Sequence, residues 1–338
     1  MTTESTAAPA MRPPSKREVA LRVLPSGVVG LLDRIVFRIR RGRVRLILAL
    51  LRMVGLNAAQ AGDYYSVLPV ISELEKTRAR WDRPSELVGM TYDAAAMGRT
   101  VLELADKWEQ DYVAGAGDYT RNQGQGFGPG FPQLDARLQY YMLREHKPAR
   151  YLEIGSGLST FYAQLAGKRN AAEGSPLEIT CIEPYPFEAL QRLDGIKLKQ
   201  MFVQDVPLAD FEILEAGDVL FIDSSHALKI DSDVAYLFLE VLPRVKPGVI
   251  IHIHDMPFPY NIPFPASTWL FGERWPIYWN EAMLVQAFLA FNTSFEVVLS
   301  TALVRHHDES LFEKRFADYR PVAQDEYPPG SLWLRRVN

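Results

Sequence analysis

Tyr151-Leu-Glu-Ile-Gly-Ser-Gly-Leu-Ser-Thr160 is the stretch on which the fold turns. Tyr151 to Ile154 is a short, largely apolar run, Gly155 and Gly157 follow it, and a helical pattern opens near Leu158. A strand, a glycine turn and a helix in that order suit a nucleotide. The glycines permit a tight turn and close backbone approach, and the first helical turn offers unpaired N–H groups. A dinucleotide fingerprint would continue to a third glycine, but Thr160 stands there. Glu153, two residues before the first glycine, would repel a pyrophosphate and attract a cationic amino group.

Working downstream, similar runs recur at Ile179–Ile182, Leu198–Val203, Val219–Ile222, Val249–Ile253, Phe295–Leu299 and Leu332–Val337, with helical stretches between most of them. The first five runs, Tyr151–Ile154 included, are nearly continuous in apolar residues, as in strands buried on both faces of a parallel sheet with right-handed crossovers. The last two lack an ordinary crossover. Residues 301–331 join them and include the charged segment His306 to Arg320, so an antiparallel edge pair around an insertion is expected. No internal repeat is present.

Acids end several of these runs. Glu183 closes the second, 28 residues after Gly155, where a carboxylate accepts both hydroxyls of a ribose. Asp205, just past the third, is a candidate for an adenine amino group. The fourth and fifth runs exit into Asp223-Ser-Ser-His226 and His252-Ile-His254-Asp255, so that three of the six histidines fall at two strand ends. Ligands of open α/β sheets bind at such carboxyl ends. Alternation places His252 and His254 on one face of their strand, and His252 reads best as a core residue. His226, His254 and Asp255, at the strand exits, are the catalytic candidates.

With these residues in place the chain resembles the class I S-adenosylmethionine-dependent methyltransferases, in the group with Glu-Ile-Gly-Ser-Gly after the first strand and Ile-Asp-Ser-Ser-His after the fourth. The resemblance covers residues 147–338. It implies a Rossmann-like, seven-stranded, mostly parallel sheet with an antiparallel last strand. It also implies S-adenosylmethionine as cofactor, with Glu153, Gly155, Gly157, Glu183, Asp205 and Asp223 around it; Asp205 matches by position only. The activity implied is O-methylation of a small hydroxylated acceptor, a sugar or a secondary metabolite. Two mechanisms stay open. In one, His226 or His254 is the general base and Asp255 orients the imidazole. In the other, Asp223, Asp255 and His254 hold a divalent cation such as Mg²⁺, as in catechol-type relatives, although His254-Asp255 departs from the acid and amide expected there; this metal-dependent route is the less favoured.

The segment from Phe258 to Trp279 holds eight aromatic residues and several prolines, and reads as a lid: an apolar wall or a sugar-stacking platform. A glycine-rich stretch from Gly115 to Gly130, continued through Phe131 and Pro132, offers a second cover in which Phe127, Phe131 and Asp135 stand. Helical periodicity marks residues 62–80, 91–113 and 134–146. The expected organisation is a disordered tail over 1–19, a basic, helical N-terminal region over 20–133, and a methyltransferase domain over 134–338.

The whole chain has 338 residues with 48% hydrophobic and 23% charged, ordinary for a globular protein. Its single cysteine, Cys181, excludes an intramolecular disulfide, and no apolar leader opens the chain, so a cytoplasmic location is expected. The net charge of −4 is uneven: residues 1–60 hold eleven Lys and Arg against Glu4, Glu18 and Asp33, a net of +8 that leaves −12 for the rest. Arginines threaded through Leu31 to Arg52 make a basic amphipathic pattern. Such a helix packs on the body or lies on an anionic surface, which makes peripheral contact with the inner membrane face a further expectation. Nucleic acid is not expected as a partner, since the body is acidic and carries no recognition motif. Leu46 to Leu51 is too short to span a membrane, which takes about 18 residues. A nicotinamide-dependent oxidoreductase is the alternative enzyme, disfavoured by the missing third glycine. A membrane-peripheral scaffold that kept the donor site and lost turnover is the non-enzymatic alternative.

Overall fold

The computed structural model describes residues 26–56, 58, 63–272, 276–321 and 328–338. The expected tail over 1–19 and Trp275 of the lid lie outside them. Two compact units are present, Met1–Val70 and Ile71–Asn338. In the first, the described residues include one long helix, α1 (Ser26–Met53). Among the described residues no helix is long and apolar enough to cross a membrane.

The second unit begins with two short helical segments, Ile71–Lys76 and Arg78–Trp81, in place of the single helix expected over 62–80. Pro69 explains the delay, because it disfavours helical backbone at Leu68 and brings no N–H of its own. Helix α2 (Ala94–Gly115) follows, its first turn capped by Asp93, whose side chain accepts from the Ala96 N–H. It buries Met97, Val101, Leu104, Ala105 and Tyr112. Helix α3 (Gln133–His146) is buried along most of its length. Tyr112 of α2 meets Tyr140 and Tyr141 of α3 edge-on, at 5.5 and 5.9 Å between ring centres. The break in the chain therefore falls at Val70 and not near residue 133: the glycine-rich stretch is a loop within one core.

The remainder alternates as expected: β1 (Arg150–Ile154), α4 (Leu158–Ala172), β2 (Glu178–Ile182), β3 (Ile196–Lys199), β4 (Val219–Ile222), β5 (Ile250–Ile253), α5 (Glu281–Leu289), β6 (Phe295–Ser300), α6 (Thr301–Arg315) and β7 (Leu332–Arg336). The sheet order is β3-β2-β1-β4-β5-β7-β6, and β7 runs antiparallel to both its neighbours. The chain order reverses at β1, between β2 and β4, and open α/β sheets bind ligands beside such a switch point. Two expectations change. The third strand ends at Lys199, before the expected Val203, because its ladder on β2 ends at the pair Ile182 and Lys199; Val203–Asp205 is a separate 3₁₀ turn. The connection between the last strands is no plain insertion: Ser300 caps α6 by accepting from the Leu303 N–H, and the helix breaks at Asp308.

Candidate active site

At the switch point, the glycine turn after β1 lies against the exit of β4. Gly155 has φ +75°, and a Cβ there would stand 1.8 Å from the carbonyl oxygen of Asp223. No side chain fits. Gly157 is closed in from the other side: its Cβ would meet the carbonyl oxygen of Phe127 at 2.6 Å, so the glycine-rich loop rests on the turn. The Phe127 ring stacks on Phe161 of α4, with centres 4.9 Å apart. Gly155→Ala is expected to cost about 2 kcal/mol or more of stability and to weaken S-adenosylmethionine binding by over about tenfold, as read by thermal denaturation and calorimetry. Unchanged donor affinity would separate this turn from the donor site.

A cleft beside this turn is lined by Gly155, Glu183, Gln204, Asp223 and Asp233, with Tyr185 and Phe202 at its mouth. Glu183 is oriented by two backbone N–H groups, accepting from Ser156 at 3.3 Å and Tyr185 at 2.7 Å. The rings of Tyr185 and Phe202 pack edge to face at 5.8 Å and remain exposed. Asp205 does not line the cleft. Gln204 and Val203 do, because the chain has already left β3 and turned. Glu153 is not at the cleft surface either. It is fully buried and accepts from the hydroxyls of Ser159 and Thr160, so it ties β1 to the start of α4. Burial pushes its carboxyl up to about 7, against the pull of those hydroxyls.

The exits of β4 and β5 form an acid and imidazole cage. His226 Nδ1 lies 2.7 Å from Glu281 Oε2 at the start of α5, while its Nε2 lies 3.2 Å from Asp223 and 3.6 Å from Asp255. Burial works against a charge on this ring, but hydrogen bonds to Asp223 and Glu281 and the nearby acids prevail, holding its pKa at about 10. The backbone of His226 is left-handed, φ +57°, as is that of Asp255, φ +56°. Such conformations are uncommon outside glycine and gather at functional sites. The His226 carbonyl accepts from the N–H groups of Asn280 and Glu281, which fixes the turn.

His254 stands deeper. Its Nε2 is 3.1 Å from Asp135, and its Nδ1 is 3.6 Å from both Asp223 and Asp255. Those acids raise its pKa well above the ordinary value despite burial. His252 is a core residue, stacked on Trp333 at 3.9 Å and bonded to Ser331, and burial holds it neutral. Beyond the cage opens a pocket lined by His226, Asp255, Glu281, Phe264, Trp269, Trp279 and Arg305. Trp279 packs on the His226 ring at 4.4 Å and on Trp269 at 5.5 Å. The structure thus brings Asp223, His226, His254 and Asp255 together, but only His226 and Asp255 of the catalytic candidates face the pocket. It adds Glu281, the acid behind His226, in the orienting place expected of Asp255. An acid in the first turn of a helix reads as a dipole partner, so nothing in its local sequence marks Glu281 as part of a site.

The cage also has the chemistry of a cation site. One atom each from Asp223, His226 and Asp255 lie within 4.8 Å of one another. Glu281 on Nδ1 leaves Nε2 for the cluster, as a carboxylate does behind a metal-bound imidazole. The residues therefore fit a divalent cation, with His226 in the place expected of His254. Two carboxylates and an imidazole suit Mn²⁺, Fe²⁺ or Zn²⁺ better than Mg²⁺, which favours oxygen ligands. A cation so held would act as a Lewis acid toward an acceptor oxygen.

A family model described as a methyltransferase domain matches residues 152–256. A relative from Archaeoglobus fulgidus, described as an uncharacterized protein, is 30% identical over 169 residues, covering 46% of this chain and 72% of that one. Among solved structures, the O-methyltransferase from Bacillus cereus in complex with SAH is 11% identical, with 73% of this chain and 100% of that one covered at a TM-score of 0.39. The O-methyltransferase TomG from Streptomyces achromogenes, in complex with SAM, is 12% identical, with 74% and 92% covered at 0.38. The family match runs from β1 to just past β5 and so includes the glycine turn, Glu183, Asp223 and Asp255. The chain belongs to the class I S-adenosylmethionine-dependent methyltransferases. Neither the nicotinamide-dependent reading nor the inactive scaffold gains support.

Proposed function

We propose that this methyltransferase acts on the oxygen of a small hydroxylated acceptor bound in the pocket between the β5 exit and the aromatic lid. The observation that carries this reading is the placement of His226: Glu281 fixes one ring nitrogen, and the ring faces the acceptor pocket at Trp279. S-adenosylmethionine, when bound, supplies an activated methyl group on its sulfonium. The chain's own tasks are then alignment and proton handling. Glu183 binds the ribose hydroxyls, Tyr185 and Phe202 flank the base, and the Gly155 turn lets the chain approach the donor closely. His226 Nε2, which faces the pocket, would take the proton of the acceptor hydroxyl as that oxygen is methylated. Asp223 and Asp255 stabilise the resulting imidazolium, and Glu281 keeps the ring in place. Phe264, Trp269 and Trp279 give the pocket flat apolar walls, which suit a ring such as a sugar or an aromatic metabolite.

Calorimetric titration of S-adenosylmethionine tests the donor half: saturable binding is expected, weakened about tenfold or more in Glu183→Ala through loss of charge-assisted hydrogen bonds. A panel of sugars and phenols, with the methylated product identified by NMR, tests the acceptor half. A methyl group found on nitrogen or carbon would overturn O-methylation, and failure to bind the donor would overturn the whole reading.

A further inference from the structure

The first unit carries a surface that methyl transfer does not use. Among the described side chains of α1, Ile35, Ile39, Leu46, Leu50 and Met53 are all exposed. At 3.6 residues per turn they fall within an arc of about 60°. Arg34, Arg38, Arg45 and Arg52, each one residue earlier than a member of that stripe, are exposed as well and form a second stripe about 100° away. Arg43, also exposed, lies on the other side of the stripe, with the exposed Ile47 beyond it. Val44, Leu48 and Leu51 face elsewhere and are half-buried.

An apolar seam of this kind has few occupants. A second copy is disfavoured by charge: 39, 46 and 53 repeat every seven residues, which puts Arg38, Arg45 and Arg52 at flanking positions, and residues 34–53 contain no acid to pair with them. A bilayer crossing is excluded by the same arginines. The pattern of exposed apolar and basic residues is complementary to a surface that is apolar below and negatively charged above. We propose that α1 lies along an anionic lipid surface, with the stripe from Ile35 to Met53 immersed and the flanking arginines at the level of the headgroup phosphates. The helix, 28 residues and about 42 Å long, presents this contact along its axis. The inference is independent of the acceptor and of the catalytic roles.

Sedimentation of the full-length protein with vesicles tests it, using phosphatidylcholine alone or with one third phosphatidylglycerol. Binding is expected to the mixed vesicles only, and to fall in high salt. The triple variant Arg38→Glu/Arg45→Glu/Arg52→Glu is expected to bind at least about a hundredfold more weakly, since each near-surface arginine contributes about fivefold. Leu46→Asp/Leu50→Asp, with every arginine kept, is expected to lose about tenfold or more, with circular dichroism confirming that helix is retained. Equal binding to both vesicle types, or unchanged binding by the leucine variant, would overturn the proposal. So would absence of lipid binding together with a concentration-dependent dimer that the leucine variant abolishes, which would make a second copy the occupant.

Discussion

His226→Gln is expected to slow methyl transfer by about 10²–10⁴-fold, the usual contribution of a positioned base, while donor affinity measured by calorimetry stays close to that of the parent. Glutamine keeps a polar group in the cage but cannot take a proton. The pH profile gives the sharper test. A base works in its neutral form, and Asp223, Glu281 and Asp255 hold the His226 imidazole at about 10. The rate of the parent enzyme should therefore rise with pH, by about tenfold per unit, through neutral and weakly alkaline solution. A positively charged donor in the adjoining cleft opposes the cage and shifts that rise to lower pH. The residual activity of His226→Gln should lack this rise. If instead His226 serves as a ligand, the variant abolishes Mn²⁺ binding in a calorimetric titration of the protein without donor. A parent profile flat in pH, or a variant that keeps a tenth of the parent rate, would remove His226 from the proton path.

Much of this site is legible in sequence because its parts sit at strand ends. Buried parallel strands announce themselves as short apolar runs, and the residues after each run must lie along one edge of the sheet. Gly155, Glu183, Asp223, His226, His254 and Asp255 are found in that way. Where a local rule has to give an exact position it fails. Asp205 lies one residue past Gln204, yet a 3₁₀ turn leaves Gln204 in the cleft and Asp205 outside it. Glu153 shows a second limit. Its position next to the glycine turn suggests ligand contact, but β1 is buried on both faces, and the carboxylate is satisfied by Ser159 and Thr160 of the next helix. Glu281 and Asp135 are reached only through tertiary packing, over separations of 55 and 119 residues from their histidines. No periodicity encodes such pairings. Asp135 is legible as part of a cover, whereas its burial between the exit of β5 and the entry to β7 is not.

Asp135→Ala is expected to lower stability by about 3–5 kcal/mol, the cost of leaving a buried charge without its partner. Asp135 is completely buried in the first turn of α3. Its carboxylate accepts from the Gly330 N–H at 2.8 Å, the Ser331 N–H at 3.3 Å and the Thr301 hydroxyl at 3.1 Å, and it faces His254 Nε2 at 3.1 Å. One side chain thus joins α3, β5, the start of α6 and the entry to β7. Burial opposes its ionisation, yet His254 and the Gly330 and Ser331 groups prevail and hold the carboxyl below its ordinary value. That depressed pKa stabilises the fold above the unfolded value of about 3.9 and is lost as pH falls below it. Chemical denaturation should show the parent losing stability on acidification below about pH 4 more steeply than Asp135→Ala. The double variant Asp135→Ala/His254→Phe separates charge from packing. With the orphaned imidazolium removed, its cost should fall short of the sum of the single costs by about 1–3 kcal/mol. Full additivity would mean that the two groups do not form a unit. Phe131, from the loop that rests on the glycine turn, lies 4.8 Å from the His254 ring, so the loop is anchored to the same pair. A drop in donor affinity in Asp135→Ala, measured well below its melting temperature, is therefore expected alongside the loss of stability. Unchanged affinity would confine Asp135 to the scaffold.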